Sequence, residues 1–312
     1  MHLIADIGGT NIRLAAFHGD PLIAFDQLMT GTCDKVRNYS WDQVGRLNAA
    51  IQDFQDHFHL PGRAQSLTIA IAGIALVDQE EFGFTNRDAG FCRSDLYEFA
   101  DTVEIINDFA AQASAIPHLG EDHFSQVKPG QRRAGARAVV GPGTGLGIAG
   151  LTPGGLVIPG EGGNVAVTYL PDAPLSRIEA NVDRGQLRAE DVFSGQGLEN
   201  IFQAQSGCRM AAQEISARAH RGDAQARQAL DLFFDYAAQI SANQALQYVA
   251  VGGVYLVGSI MIKNADLLDL DRFASVFCSI KTHEDFLRQI PVYLVTSATS
   301  GLAGVAAYLA SC

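Results

Sequence analysis

Asp6-Ile7-Gly8-Gly9-Thr10-Asn11 places one carboxylate and two side-chain donors around a pair of glycines. Glycines remove side chains where backbone N–H groups must approach phosphate oxygens, and Thr10 and Asn11 add donors of their own. Asp6, at a strand end, is placed to hold Mg²⁺ through water, because Mg²⁺ keeps most of its hydration shell. A hairpin turn with one acid is the plainer use of the same residues. A second turn, Gly141-Pro142-Gly143-Thr144-Gly145-Leu146-Gly147, holds four glycines in seven residues and suits the same phosphates from another side. Asp108 ends the apolar run Val103-Glu104-Ile105-Ile106 and begins a helical stretch. There it can accept a proton from an attacking hydroxyl, which is all that phosphoryl transfer asks of a base; it can equally be a helix N-cap. Glu161, among Gly160, Gly162 and Gly163, is an acceptor suited to vicinal hydroxyls or part of a surface turn.

These residues need elements to hold them. Leu3 to Ile7 and Ile12 to Phe17 read as strand, glycine turn, strand, and Ala138 to Val140 running through the second turn into Ile148 to Leu151 repeats the pattern. Two such units suggest two related halves, although the likeness spans only about a dozen residues. Ser40 precedes an amphipathic helix with Trp41, Val44, Leu47, Ile51, Phe54 and Phe58 on one stripe. Leu67 to Val77 reads as an interior strand, and a polar stretch from Pro117 to Arg137 as loop or edge hairpin. Helices are expected over Leu198 to Arg218 and over Ala224 to Ala250, the latter capped by Asp223. Strands Val254 to Val257 and Pro291 to Val295 and a small-residue helix from Leu302 close the chain.

Bulk properties narrow the partners. A length of 312 residues favours two domains. A net charge of -12 argues against nucleic acid and anionic membranes. Five scattered cysteines without a CxxC pair predict free thiols in a reducing cytoplasm, and the N-terminus lacks a secretory leader. The Gly145 to Gly150 match to a dinucleotide fingerprint runs on into a hairpin where a helix is required, and no Gly-Lys-Ser/Thr occurs for a P-loop.

Taken together, Asp6 to Ala15, Ile105-Ile106-Asn107-Asp108-Phe109, Gly143 to Gly147 and Pro159-Gly160-Glu161-Gly162-Gly163 resemble the bacterial glucokinase family, in order and from first strand to last helix. Ser194-Gly195-Gln196-Gly197-Leu198 and Ile290 to Leu294 add weaker matches. The resemblance implies an α/β, two-domain actin-like ATPase (ribonuclease H-like) fold with an interdomain cleft that closes on the sugar. Residues 1–108, completed by a C-terminal helix over about 300–312, would form the small domain, and 109–299 the large one. It implies ATP and Mg²⁺, a hexose phosphorylated at its 6-hydroxyl, Asp108 as base, and sugar contacts from Asn107, Asp108, Glu161, Asn164 and Asp183. Asp6, Gly8, Gly9, Thr10, Asn11, Gly143, Thr144, Gly145 and Gly258 would enclose the nucleotide, and a homodimer is a family habit.

Departures fall on the sugar side. Asn164 stands where the family has His, Ala166 where it has an acid, Asp183 where it has a second sugar-binding Glu, and Thr85-Asn86-Arg87-Asp88-Ala89 lacks a family Trp. The adenosine-side Gly-Gly pair reads Gly258-Ser259. A kinase for another hexose or amino sugar is the alternative within the class. A sugar-sensing relative with little turnover is the alternative outside it. Against that reading stand the carboxylate at Asp108 and the lack of room for a DNA-binding segment before the first turn.

Overall fold

The computed structural model describes residues 1–8, 11–84, 87–167, 170, 173–182, 186–297 and 301–311, with residues 84, 87–89 and 181 described for their backbone alone. Contacts divide the chain into two compact units, Met1–Leu119 with Thr299–Cys312, and Gly120–Ala298.

In the first unit β1 (His2–Ile7), β2 (Asn11–Phe17), β3 (Val36–Ser40), β4 (Ala64–Ile71) and β7 (Ala100–Asn107) form a sheet of order β3-β2-β1-β4-β7, while β5 (Glu81–Phe84) and β6 (Arg87–Cys92) make a separate hairpin. β1 pairs antiparallel with β2 and parallel with β4, which pairs parallel with β7. The run Leu3-Ile4-Ala5 is apolar without alternation because both faces are covered, as parallel strands demand. Leu3 and Ala5 pack in one cluster with Leu47, Ile51 and Phe54; Ile4 packs in another with Ala111, Leu302 and Val305. The helices Asp108–Ala115 and Gly301–Ser311 approach so closely that a Cβ on Gly304 would meet the Ala111 carbonyl at 2.5 Å. This packing keeps Asp108–Ala115 with the first unit, which therefore runs past the division expected at 108 to Leu119.

The second unit carries β8 (Phe124–Lys128), β9 (Arg137–Pro142), β10 (Leu146–Leu151), β11 (Val157–Gly160), β12 (Val254–Leu256) and β13 (Val292–Val295) in the order β11-β10-β9-β12-β13-β8. β9 is antiparallel to β10 and parallel to β12, and β12 is parallel to β13. Setting the extra edge strand β8 aside, this is the strand order and the pattern of directions of the first sheet. The faint sequence repeat is thus a repeat of topology.

Three elements differ from the sequence expectation, each at a glycine with positive φ. Gly45 (φ 69°) splits the expected helix into Trp41–Val44 and Leu47–His57. Gly207 (φ 76°) ends Gly195–Ser206, and Ala212–His220 begins anew. The apolar run from Leu67 leaves the sheet after Ile71; Gly73 (φ 117°) follows, and Ile74, Leu76 and Val77 are exposed. The polar stretch after Pro117 supplies β8 at the sheet edge, antiparallel to β13.

The helix Ala224–Gln247 is 24 residues long, capped by Asp223 as expected, and largely buried against the second sheet. Just past it, Val249 holds φ 48° and is exposed. That left-handed position after a helix usually takes Gly or Asn, and a β-branched side chain there costs about 1–2 kcal/mol. Val249→Asn is therefore expected to raise stability by about 1 kcal/mol, read as a higher urea midpoint at unchanged slope.

Cys33, Cys92, Cys208 and Cys278 are free thiols, as expected. Among the described residues no helix is long and apolar enough to cross a membrane.

Candidate functional site

In the first unit the parallel register of β1, β4 and β7 aligns Ile7 with Ile71 and Ile71 with Asn107. Gly8, Gly73 and Asp108 therefore lie beyond the carboxyl ends of neighbouring strands, where α/β sheets bind ligands. Asn107 is the N-cap of Asp108–Ala115: its Oδ1 accepts from Phe109 N and Ala110 N, both at 2.9 Å, and its Nδ2 donates to Gly73 O at 3.0 Å. Asp108 is the first helical residue, with Oδ1 accepting from Phe109 N at 2.8 Å. The cap belongs to Asn107, so capping does not account for an acid at 108.

Arg13 Nη1 donates to Asp6 Oδ2 at 2.8 Å, from the residue paired with Asp6 across the hairpin. Asp6 is also overlaid by the start of the last helix, since a Cβ on Gly301 would overlap its carboxyl group. Neither Arg13 nor Gly301 was singled out by the sequence. Gly8 N donates to Asn11 O at 3.0 Å, and the indole N–H of Trp41 donates to Gly8 O at 3.0 Å. Gly9 and Thr10 lie outside the described residues.

In the second unit the β9–β10 turn folds on itself, Gly143 N donating to Gly145 O at 2.8 Å. Gly195 N, opening the helix Gly195–Ser206, donates to Gly143 O at 2.9 Å. Thr144 is exposed at the tip. Gly258 follows β12 at the same end of the sheet; its φ of 108° and the Pro142 carbonyl, 2.7 Å from a Cβ there, both require glycine.

Glu161 follows β11, whose Gly160 pairs with Ile148 near the start of β10. Asn164 Nδ2 donates to Glu161 Oε2 at 3.0 Å, and Asn164 Oδ1 accepts from Arg188 Nη1 at 2.6 Å. Arg188 Nη2 pairs with Glu190 Oε1 at 2.6 Å, and Glu190 Oε2 would lie 2.9 Å from a Cβ on Gly145. The glycines after Glu161 answer to packing rather than flexibility: Gly162 abuts the Ile148 side chain and Gly163 the Leu146 carbonyl. The site thus includes Arg188 and Glu190, which the sequence reading passed over although Arg188-Ala189-Glu190-Asp191 leads directly into the matched Ser194-Gly195-Gln196-Gly197. Asp183 and the Thr85-Asn86 pair lie outside the described residues.

The glycine turns bear on a nucleotide. Among the described residues, a Cβ on Gly8 would touch nothing within 4 Å, and one on Gly143 only Gly145 O at 3.9 Å. Neither φ is positive. Neither packing nor backbone conformation demands glycine at these two positions, so the room they leave suits a phosphate against the backbone. Among the described residues no cluster of three or more His, Cys, Asp or Glu could hold a metal ion. A lone carboxylate such as Asp6, with phosphate and water completing the shell, fits Mg²⁺ and not an all-protein cage.

A family model described as glucokinase matches residues 3–312. The chain belongs to the glucokinase family. A glucokinase of Pseudomonas paraeruginosa is 33% identical to it, covering 97% of this chain and 90% of the relative. The crystal structure of a glucokinase from an Antarctic psychrotroph superposes with a TM-score of 0.80 at 27% identity, covering 98% of this chain and 97% of that one. A glucokinase from Balamuthia mandrillaris, solved in complex with glucose, shares the fold with a TM-score of 0.80 at 21% identity, over 99% of this chain and 93% of that one. The fold is the α/β actin-like ATPase (ribonuclease H-like) fold expected from the sequence, and each glucokinase-family unit described above carries one of its glycine turns.

Proposed function

We propose that this chain transfers the γ-phosphoryl group of ATP to the 6-hydroxyl of glucose in the cytoplasm. The observation that carries the reading is Asp108: in a glucokinase-family chain, a carboxylate begins a helix that Asn107 already caps, beyond the end of a parallel strand. Asp108 takes the 6-hydroxyl proton as that oxygen attacks the γ-phosphorus, and the bond to the ADP oxygen breaks. Positioning and charge stabilisation supply most of the remaining rate.

Glu161 and Asn164 bind sugar hydroxyls, assisted by Asn107. Glu190 is a stronger candidate than Asp183 for the second sugar carboxylate, because it shares Arg188 with Asn164. The phosphates rest on Gly8, Gly9, Thr10 and Asn11 and on Gly143, Thr144 and Gly145, with Gly258 on the adenosine side. Mg²⁺, held by Asp6 through water, would neutralise charge on the phosphates. A second reading, a kinase for another hexose or an amino sugar, is favoured by one feature: Asn164 puts a neutral amide beside Glu161 where the family has His.

The test is ADP release from Mg-ATP with a panel of hexoses and hexosamines. Glucose as the best substrate is the expected result; a different best sugar selects the second reading. Sugar binding with no ADP formed on any member overturns both and leaves a sensor.

A further inference from the structure

Arg188 belongs to none of the motifs that tie this chain to its family, yet it links Asn164, which is hydrogen-bonded to Glu161, to Glu190. Its guanidinium donates through Nη1 to Asn164 Oδ1 at 2.6 Å and through Nη2 to Glu190 Oε1 at 2.6 Å, with Asp191 Oδ1 at 3.4 Å. The side chain is held from behind. Asp191, itself buried, accepts from the Arg188 backbone N–H at 2.8 Å, and Arg188 pairs with Ala166 in an antiparallel bridge. Arg188 Nε is buried and has no hydrogen-bond partner among the described residues. An unspent buried donor is unfavourable, so the guanidinium sits where its acceptors fix it, not where the side chain alone would settle.

The effect falls on Asn164. An asparagine amide presents an acceptor at one end and donors at the other, and its neighbours decide which way it points. Arg188 can only donate, so it claims Oδ1 and leaves Nδ2 to donate to Glu161 Oε2 at 3.0 Å. Without Arg188 the exposed Asn164 amide loses its anchor, and its bond to the Glu161 carboxylate exchanges with water, so the carboxylate is no longer held in one orientation. We infer that Arg188 is a positioning residue for sugar binding: by fixing the Asn164 amide and tethering Glu190, it holds the carboxylates of Glu161 and Glu190 in the orientation that accepts sugar hydroxyls. The guanidinium takes a place between these groups that a point charge such as Lys cannot fill, since two separate N–H groups are used at once. The inference rests on the proposed sugar role of Glu161.

The experiment compares wild type, Arg188→Met, Arg188→Lys, Asn164→Ala and the double variant Arg188→Met/Asn164→Ala. Glucose KM, ATP KM, kcat, calorimetric glucose affinity and thermal midpoint are measured for each. Arg188→Met is expected to raise glucose KM and Kd roughly ten- to hundredfold, with ATP KM unmoved and kcat falling by less than KM rises. Arg188→Lys is expected to recover only part of the loss. In the Asn164→Ala background, Arg188→Met is expected to add less than about threefold, because the two side chains act through one another. An unchanged glucose KM in Arg188→Met, or a penalty that multiplies in full in the double variant, overturns the inference. Should Arg188→Met fail to fold, Arg188→Lys decides, and wild-type glucose affinity there overturns it. A wild-type enzyme that phosphorylates no hexose defeats the kinase reading instead, while the calorimetric arm still tests Arg188.

Discussion

Asp108→Asn is expected to lower kcat about 10²- to 10⁴-fold, the usual contribution of a positioned general base, with glucose KM and folding near wild type. The substitution is nearly isosteric, and the amide oxygen of Asn can still accept from Phe109 N as Asp108 Oδ1 does at 2.8 Å. The helix start survives because Asn107 supplies the cap through two bonds of its own. Losing a negative charge from the first turn costs about 0.3–1 kcal/mol of stability, too little to imitate inactivation. Coupled detection of ADP under saturating glucose and Mg-ATP, with a thermal melt of the same sample, separates the cases. Turnover at the wild-type rate would remove Asp108 from the chemistry. A large drop in melting temperature would return it to a structural role.

Gly301→Ala is expected to reduce kcat/KM for ATP about 10²-fold while leaving glucose KM unchanged. The added methyl would overlap the Asp6 carboxyl group. That carboxylate has little room to yield: its side chain is 14% exposed, Arg13 holds one oxygen, and its strand β1 is paired on both sides. Asp6 must turn off its present rotamer or the helix Gly301–Ser311 must lift, and displacement of a binding group by about 1 Å commonly costs this much. A stability loss of about 1–3 kcal/mol accompanies such overpacking. Initial rates over a range of Mg-ATP at fixed glucose check the effect; an ATP KM and kcat equal to wild type would show that Asp6 has no part in handling the nucleotide.

Both glycine turns were legible because glycines between apolar runs have few other uses, and Asp108 because a carboxylate at a strand-to-helix junction stands out. The repeat of two halves was faint in sequence and plain in strand order, since pairing directions tolerate almost complete change of side chains. What the local sequence does not carry is tertiary. Arg188 meets Asn164 across 24 residues of chain, and nothing local marks an arginine whose partners are that distant. Glu190 sits beside Asp191 ahead of a helix, and no sequence neighbour sets it apart. The packing need at Gly162 and Gly163, each of which makes room for β10, leaves no trace in the local sequence either. Gly45 and Gly207 broke stripes whose hydrophobic period continued through them, because a period records which face is buried and not whether the helix is continuous.

The indole of Trp41 has a practical consequence. It is the chain's one tryptophan, 1% exposed, and bonded to the carbonyl of Gly8. Fluorescence excited at the indole band therefore originates wholly within the first unit, at the base of its glycine loop. The emission spectrum is a built-in optical probe of that loop and is silent about the rest of the chain, so denaturation followed this way measures one half, whereas circular dichroism averages both.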